Sequence, residues 1–247
     1  MWTYPKVLAH RGGGRLAPEN TLAALRCGLA HGFHAVEFDV MAVRDGGLVL
    51  MHDPQLGRTV AGQGKVADFS AAELMQMDAG AWFGAAFAGE TVPVFSEVAA
   101  FCLQHGIWMN AEIKPADGAD AETGRLVGEA CAGLPAGSVL LSSFSLEALA
   151  AARLAAPLVP RALLVERVPE DWQAQLHALE AVALHVNASL LRPEQAAAIR
   201  QAGYGLFCYT VNDLVQARAL LAMGVDAFCT DSLDEIGADF CVSNSCS

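Results

Sequence analysis

The chain has 247 residues, of which 54% are apolar and 17% charged, and its formal net charge is −12. This composition supplies core material for one large domain, 1–247, and differs from that of a disordered chain. The acidic balance argues against nucleic acid or stable membrane association, which call for a basic face, and no apolar run approaches the ~18 residues of a membrane-spanning helix.

The first predicted strand, 7–10, ends on His10-Arg11-Gly12-Gly13-Gly14, where the glycine run suggests close backbone approach to an anion. A helix is expected over 20–31, with Asn20 or Thr21 as its cap. The strand at 35–44 carries Glu37-Phe38-Asp39, and a period of two places both carboxylates on one face. Asp45-Gly46 then reads as a hairpin turn into a strand at 48–52 that reaches His52-Asp53. With a two-residue turn, paired residue numbers sum to 91 and Asp39 lies opposite His52; a three-residue turn shifts that register.

Residues 54–92 interrupt the pattern with Gly57, Gly62, Gly64, Gly80, Gly84 and Gly89. The one good helix start there is the capping box Ser70-Ala71-Ala72-Glu73. At roughly 40 residues the segment is too long for an ordinary connection and reads as an insertion over the site. Helices at 94–105, 120–132, 145–155, 170–180, 193–202 and 213–222 then alternate with strands at 107–113, 138–142, 161–165, 182–187, 205–210 and 225–230. Pro193 marks a first helical turn, and Gly203 and Gly224 mark stops. Of the nine predicted strands, 48–52 returns antiparallel after a tight turn. Eight parallel strands remain, the number of a (β/α)8 TIM-type barrel.

The active face of such a barrel lies at the C-terminal strand ends. His10, Glu37, Asp39, Glu112 and Lys114 all fall at or near those ends. Seven cysteines, 27, 102, 131, 208, 229, 241 and 246, form no CxxC pair, and Met1–Lys6 has no export pattern. Reduced thiols and a cytoplasmic location are expected.

The motifs together resemble the glycerophosphodiester phosphodiesterase family, most closely its cytoplasmic bacterial branch. The resemblance rests on His10-Arg11-Gly12, Ala17-Pro18-Glu19-Asn20-Thr21, Glu37-Phe38-Asp39, His52-Asp53, Glu112-Ile113-Lys114-Pro115, Ser142-Ser143-Phe144, Tyr209-Thr210-Val211-Asn212 and Thr230-Asp231. Within the insertion it extends to Arg58-Thr59, Gly64-Lys65-Val66, Asp78-Ala79-Gly80 and Trp82-Phe83, and overall it runs from about residue 5 to 235.

The resemblance implies a barrel of the phospholipase C-like phosphodiesterase kind. It also implies hydrolysis of glycerophosphodiesters, small molecules such as deacylated phospholipids, to sn-glycerol 3-phosphate and an alcohol. By the same resemblance Glu37, Asp39 and Glu112 hold one divalent metal ion, and hard oxygen ligands suit Mg²⁺ or Ca²⁺. His10 and His52 are the implied acid/base pair. Arg11 and Lys114 are the implied phosphate contacts, and Tyr209, where many relatives carry Trp, the wall for glycerol or head group. Attack by the glycerol 2-hydroxyl, through a cyclic phosphate, and direct attack by water both remain open.

Two alternatives use the same barrel. A phospholipase-type enzyme needs an exposed apolar or basic surface that this acidic chain does not advertise. A Schiff-base aldolase using Lys114 needs a neutral amine, which the three carboxylates oppose. His185 and Asn187 alternate on one strand and line either the pocket or the core; His31, His34, His105 and His177 read as surface or structural residues.

Overall fold

A computed structural model describes residues 2–241; Met1 and residues 242–247, Cys246 included, lie outside that range. The strands are β1 (Val7–His10), β2 (Ala35–Ala42), β3 (Leu48–Leu50), β4 (Trp108–Ile113), β5 (Val139–Ser143), β6 (Arg161–Val165), β7 (Ala183–Asn187), β8 (Gly205–Tyr209) and β9 (Ala227–Thr230). All pairings are parallel except β2 with β3, and β1 pairs with both β9 and β2, so eight parallel strands close into the expected TIM-type barrel.

The helices are α1 (Leu22–Ala30), α2 (Ala71–Leu74), α3 (Phe95–Gln104), α4 (Asp120–Ala132), α5 (Leu146–Ala155), α6 (Trp172–Leu179), α7 (Pro193–Gln201) and α8 (Leu214–Met223). Local chemistry sets their ends. The Thr21 hydroxyl accepts from Ala24 N and the Asp213 carboxylate from Gln216 N. Pro193 opens α7, and Gly224 closes α8 at φ 99°. The α4–α5 contact depends on Gly124, where a Cβ would stand 2.1 Å from the Ala148 carbonyl oxygen. A side chain there would push the two helices apart.

Inward-facing Leu8, Ala35, Trp108, Leu140, Ala162, Ala183, Phe207 and Ala227 fill the barrel floor, with Trp2 and Tyr4 packed against them. Outward-facing residues such as Phe38, Met109, Leu141 and Leu184 bury against the helices. Residues 54–92 have a smaller core of their own, in which Val60, Val66, Leu74, Ala79 and Val92 pack on Met41, Val49 and Met51. The capping box of α2 is formed as expected.

The hairpin register differs from the two-residue expectation. Val40 pairs with Leu50 and Met41 with Val49, so paired numbers sum to 90. Val43 N donates to Gly47 O, Gly46 N donates to Val43 O, and Gly46 lies at φ 77°. This is the three-residue loop with a left-handed glycine, a geometry that Arg44-Asp45-Gly46 satisfies as well as a two-residue turn would. His52 is therefore not opposite Asp39. It lies beyond β3, whose other edge is held by the bond from Leu50 N to Pro93 O.

Cys27, Cys102, Cys131, Cys208 and Cys229 are free thiols. Cys241 is disulfide-bonded, which corrects the expectation of reduced thiols throughout. Among the described residues no helix is long and apolar enough to cross a membrane.

Candidate active site

The barrel register assembles the acidic centre. In β2, Glu37 and Asp39 face inward two residues apart; parallel pairing sets Asp39 beside Glu112 on β4, and β1 sets His10 beside Glu37. Glu37, Asp39 and Glu112 are 5%, 1% and 8% exposed and each offers an oxygen within 4.8 Å of the others. Burial and the Asp39 charge hold the carboxyls of Glu37 and Glu112 well above the usual range. Burial works the same way on Asp39, but Lys114, Arg11, His52 and the Asn20 hydrogen bond outweigh it and keep that group ionised.

Three buried carboxylates against two nearby cations, Arg11 and Lys114, leave an excess of negative charge. A hard divalent cation is the group this donor set fits. Lys114 Nζ donates to Glu112 Oε1 at 2.9 Å and lies 3.3 Å from Asp39 Oδ1. Burial would lower its pKa, yet Asp39 and Glu112 raise it, so the amine stays protonated and is no Schiff-base nucleophile.

Each candidate histidine is backed by a carboxylate. His10 Nδ1 donates to Asp231 Oδ1 at 2.6 Å, and His52 Nδ1 donates to Asp53 Oδ1 at 2.7 Å. A carboxylate only accepts, so the nitrogen each ring leaves free is Nε2. The Nε2 of His10 stands 3.7 Å from Glu37 Oε2. Burial disfavours the charged His10 ring, but the Asp231 bond and the charges of Glu37 and Asp231 prevail and raise its pKa.

Arg11 donates from Nη1 to Glu19 at 2.8 Å and places Nε 3.4 Å from Asp39. The Tyr209 hydroxyl donates to Val165 O, and its ring meets Phe144 edge-on at 5.8 Å. All the predicted site residues except Asp39 line one cavity of about 300 Å³. Asp39 lies beneath it, between Lys114 and Asn20. A neighbouring cavity of about 430 Å³ shares His52, Glu112, Lys114 and Phe144 as a wall.

Several participants were given no role in the site from the sequence. Thr21 is the helix cap, whereas Asn20, at φ 58°, donates to Asp39 Oδ2 at 2.8 Å and accepts from Asp39 N at 3.1 Å. Asp231 and Asp53 orient the histidines, and Glu166 lines the cavity. Asp231 and Glu166 each immediately follow a barrel strand, which was the available signal. The glycine run also serves packing. At Gly14, φ 52°, a Cβ would stand 2.3 Å from the Asp231 carbonyl oxygen, and Arg15 N donates to that oxygen. The loop after β1 thereby packs directly on the residue that holds His10.

His185 is fully buried, both ring nitrogens lack partners, and Phe207 stacks beside it at 4.4 Å. Burial pushes its pKa down to about 3. The unfolded chain, titrating near 6.5, therefore binds the extra proton between these values, and the contribution of this one residue to stability falls as pH drops below 6.5. Going from pH ~7.5 to ~5.5 is expected to cost the wild type about 1.4 kcal/mol more than His185→Phe. Urea midpoints of both proteins at the two pH values measure this, and equal losses would contradict it.

Comparisons with known proteins place the chain in one family. The profile of the Glycerophosphoryl diester phosphodiesterase family matches residues 10–235. The glycerophosphodiester phosphodiesterase of Caldanaerobacter subterraneus subsp. tengcongensis is 33% identical over 230 residues, 91% of this chain and 93% of that protein. A phosphodiesterase of Oleispira antarctica, solved with its product sn-glycerol-3-phosphate, is 37% identical with a TM-score of 0.87, covering 94% of each chain. The glycerophosphodiester phosphodiesterase of Agrobacterium tumefaciens is 27% identical with a TM-score of 0.75, covering 94% of this chain and 98% of that one.

Proposed function

The chain belongs to the glycerophosphoryl diester phosphodiesterase family and is a hydrolase of glycerophosphodiesters, and from that premise we propose a reaction carried by one divalent ion, Mg²⁺ or Ca²⁺, and two histidines. The products are sn-glycerol 3-phosphate and an alcohol. Glu37, Asp39 and Glu112 would hold the ion, which would supply Lewis-acid charge at the phosphoryl group when bound. Arg11 and Lys114 bind the remaining phosphate charge, the first as a planar fork and the second as a point charge.

His10 and His52 divide the proton transfers. With Nδ1 fixed by Asp231 or Asp53, each ring presents Nε2, one to take a proton from the nucleophile and the other to protonate the departing alkoxide. Tyr209 forms the wall against which the organic part of the substrate packs. The observation that carries this reading is the meeting of two carboxylate-backed imidazoles with two members of a buried carboxylate triad around one cavity.

The chain acts as one domain, 1–247, in which residues 54–92 shape access to the cavity. Pro54 supports that reading, because it lines the neighbouring cavity that shares His52, Glu112 and Lys114 with the first. The location proposed is cytoplasmic, on the five free cysteines, although Cys241 is disulfide-bonded.

The test is glycerol 3-phosphate release from glycerophosphocholine and glycerophosphoethanolamine in Mg²⁺, Ca²⁺ or EDTA, beside a diacyl phospholipid control. Release from the deacylated substrates that EDTA abolishes and either ion restores is expected. Full activity in EDTA would reject the metal, and preference for the diacyl lipid would favour the phospholipase alternative.

A further inference from the structure

Arg58 lies in the segment between β3 and α3, on a loop closed by hydrogen bonds from Leu56 N to Gly64 O and from Val66 N to Pro54 O. Val60 and Val66, both 1% exposed, anchor this loop in the small core under the insertion. The Arg58 side chain is 44% exposed, yet its guanidinium engages two carboxylates as a double fork. Nη1 donates to Glu19 Oε2 at 2.7 Å and Nε to Asp53 Oδ2, while Nη2 donates to Glu19 Oε1 at 2.7 Å and to Asp53 Oδ1 at 3.0 Å.

The two oxygens bridged by Nη2 are the ones already used by the reactive centre. Asp53 Oδ1 accepts from His52 Nδ1, and Glu19 Oε1 accepts from Arg11 Nη1. One nitrogen thus joins the acid/base histidine to the phosphate-binding arginine through a single carboxylate on each side. A residue that only tethered the insertion would need one such pair. A planar fork addressing both is the property that separates Arg from Lys.

We propose that Arg58 is a positioning residue for phosphodiester hydrolysis, setting the His52 ring through Asp53 and the Arg11 guanidinium through Glu19. This rests on the roles given above to His52 and Arg11. Without Arg58 the two carboxylates, freed of their shared cation, rotate and repel, and both catalytic side chains lose their fixed orientation. Orientation errors of about 1 Å in such groups cost on the order of 10²-fold in rate.

The experiment compares wild type with Arg58→Ala, Arg58→Lys, Glu19→Gln and Asp53→Asn in two measurements. Kinetics with glycerophosphoethanolamine are expected to show kcat reduced on the order of 10²-fold and a raised KM in Arg58→Ala. Arg58→Lys, which keeps the charge and loses the fork, recovers little, and added guanidinium restores part of kcat to Arg58→Ala. Combining Arg58→Ala with Asp53→Asn should add almost nothing to the kcat loss, and combining it with Glu19→Gln almost nothing to the KM rise. The second measurement is the Nδ1 proton resonance of His52, assigned with His52→Gln, which Arg58→Ala is expected to broaden or abolish.

Unchanged kcat and KM in Arg58→Ala would overturn the proposal, as would losses that simply add in the double variants. An unaltered His52 resonance would overturn it independently of turnover. A wild type that shows the resonance and its dependence on Arg58 but hydrolyses no glycerophosphodiester would refute the assigned reaction and leave the coupling standing.

Discussion

Glu112→Gln is expected to abolish metal-dependent release of glycerol 3-phosphate while making the metal-free protein more stable at alkaline pH. The loss of activity follows from removing one of three hard oxygen donors. Lewis-acid stabilisation is worth several kcal/mol, so a fall in kcat/KM of about 10³-fold or more is expected. The gain in stability follows from charge. Glu37, Asp39 and Glu112 oppose two cations, Arg11 and Lys114, and neutralising one carboxylate balances the cluster.

The pH dependence of the metal-free protein has the same origin. Burial and like charge raise the pKa of Glu112 in the folded state above its unfolded value. The folded protein therefore holds the extra proton, and stability falls as pH rises through that window. Thermal midpoints in EDTA should decline from pH 5 to pH 8 in wild type and much less in Glu112→Gln. Adding Mg²⁺ or Ca²⁺ should raise the midpoint of wild type and leave the variant nearly unmoved, since only a ligand that binds the folded state stabilises it. A variant that responds to metal like wild type would exclude Glu112 as a ligand.

Replacing either histidine by alanine should have the next largest effect. General acid or base catalysis contributes roughly 10²–10⁴-fold, and kcat of His10→Ala and His52→Ala should fall by that order at saturating metal. The metal-induced rise in thermal midpoint should persist in both, because neither ring belongs to the triad. A substrate with a nitrophenolate leaving group separates the roles, since that anion departs without protonation. The variant lacking the acid should regain much of its rate on this substrate, and the variant lacking the base should not. Wild-type kcat in both variants would end the acid/base assignment.

The sequence was informative wherever a short-range period carries the chemistry. Alternation in a strand placed Glu37 and Asp39 on one face, and a strand end two residues before Lys114 placed Glu112 at the same mouth. The eight parallel strands, the antiparallel return of β3, the capping box of α2 and the Pro193 start of α7 were legible for the same reason. Where local chemistry permits two answers it failed. Arg44-Asp45-Gly46 satisfies a three-residue loop as readily as Asp45-Gly46 satisfies a two-residue turn, and one residue of register moved His52 away from Asp39.

Most residues that orient the centre reach it only through tertiary structure; Asp53, next to His52 in the chain, is the exception. Asp231 stands 221 positions from His10 and reaches it because β1 closes the barrel against β9. Gly14 is needed because the Asp231 backbone passes where a side chain would be, and Asn20 leaves the helix cap to Thr21 because Asp39 lies within its reach. Arg58 meets Glu19 across 39 residues through the packing of the insertion on β2 and β3. The sequence by itself determined the strand and helix periods, the count of parallel strands and the facing pair Glu37 and Asp39, because each is written locally in the chain, while Glu112 joined that pair as a ligand through the family resemblance. Barrel closure brought Asp231 to His10 and the docking of the insertion brought Arg58 to Glu19, because those neighbours meet only when segments distant in the chain become adjacent in space, whereas Asp53 is the chain neighbour of His52.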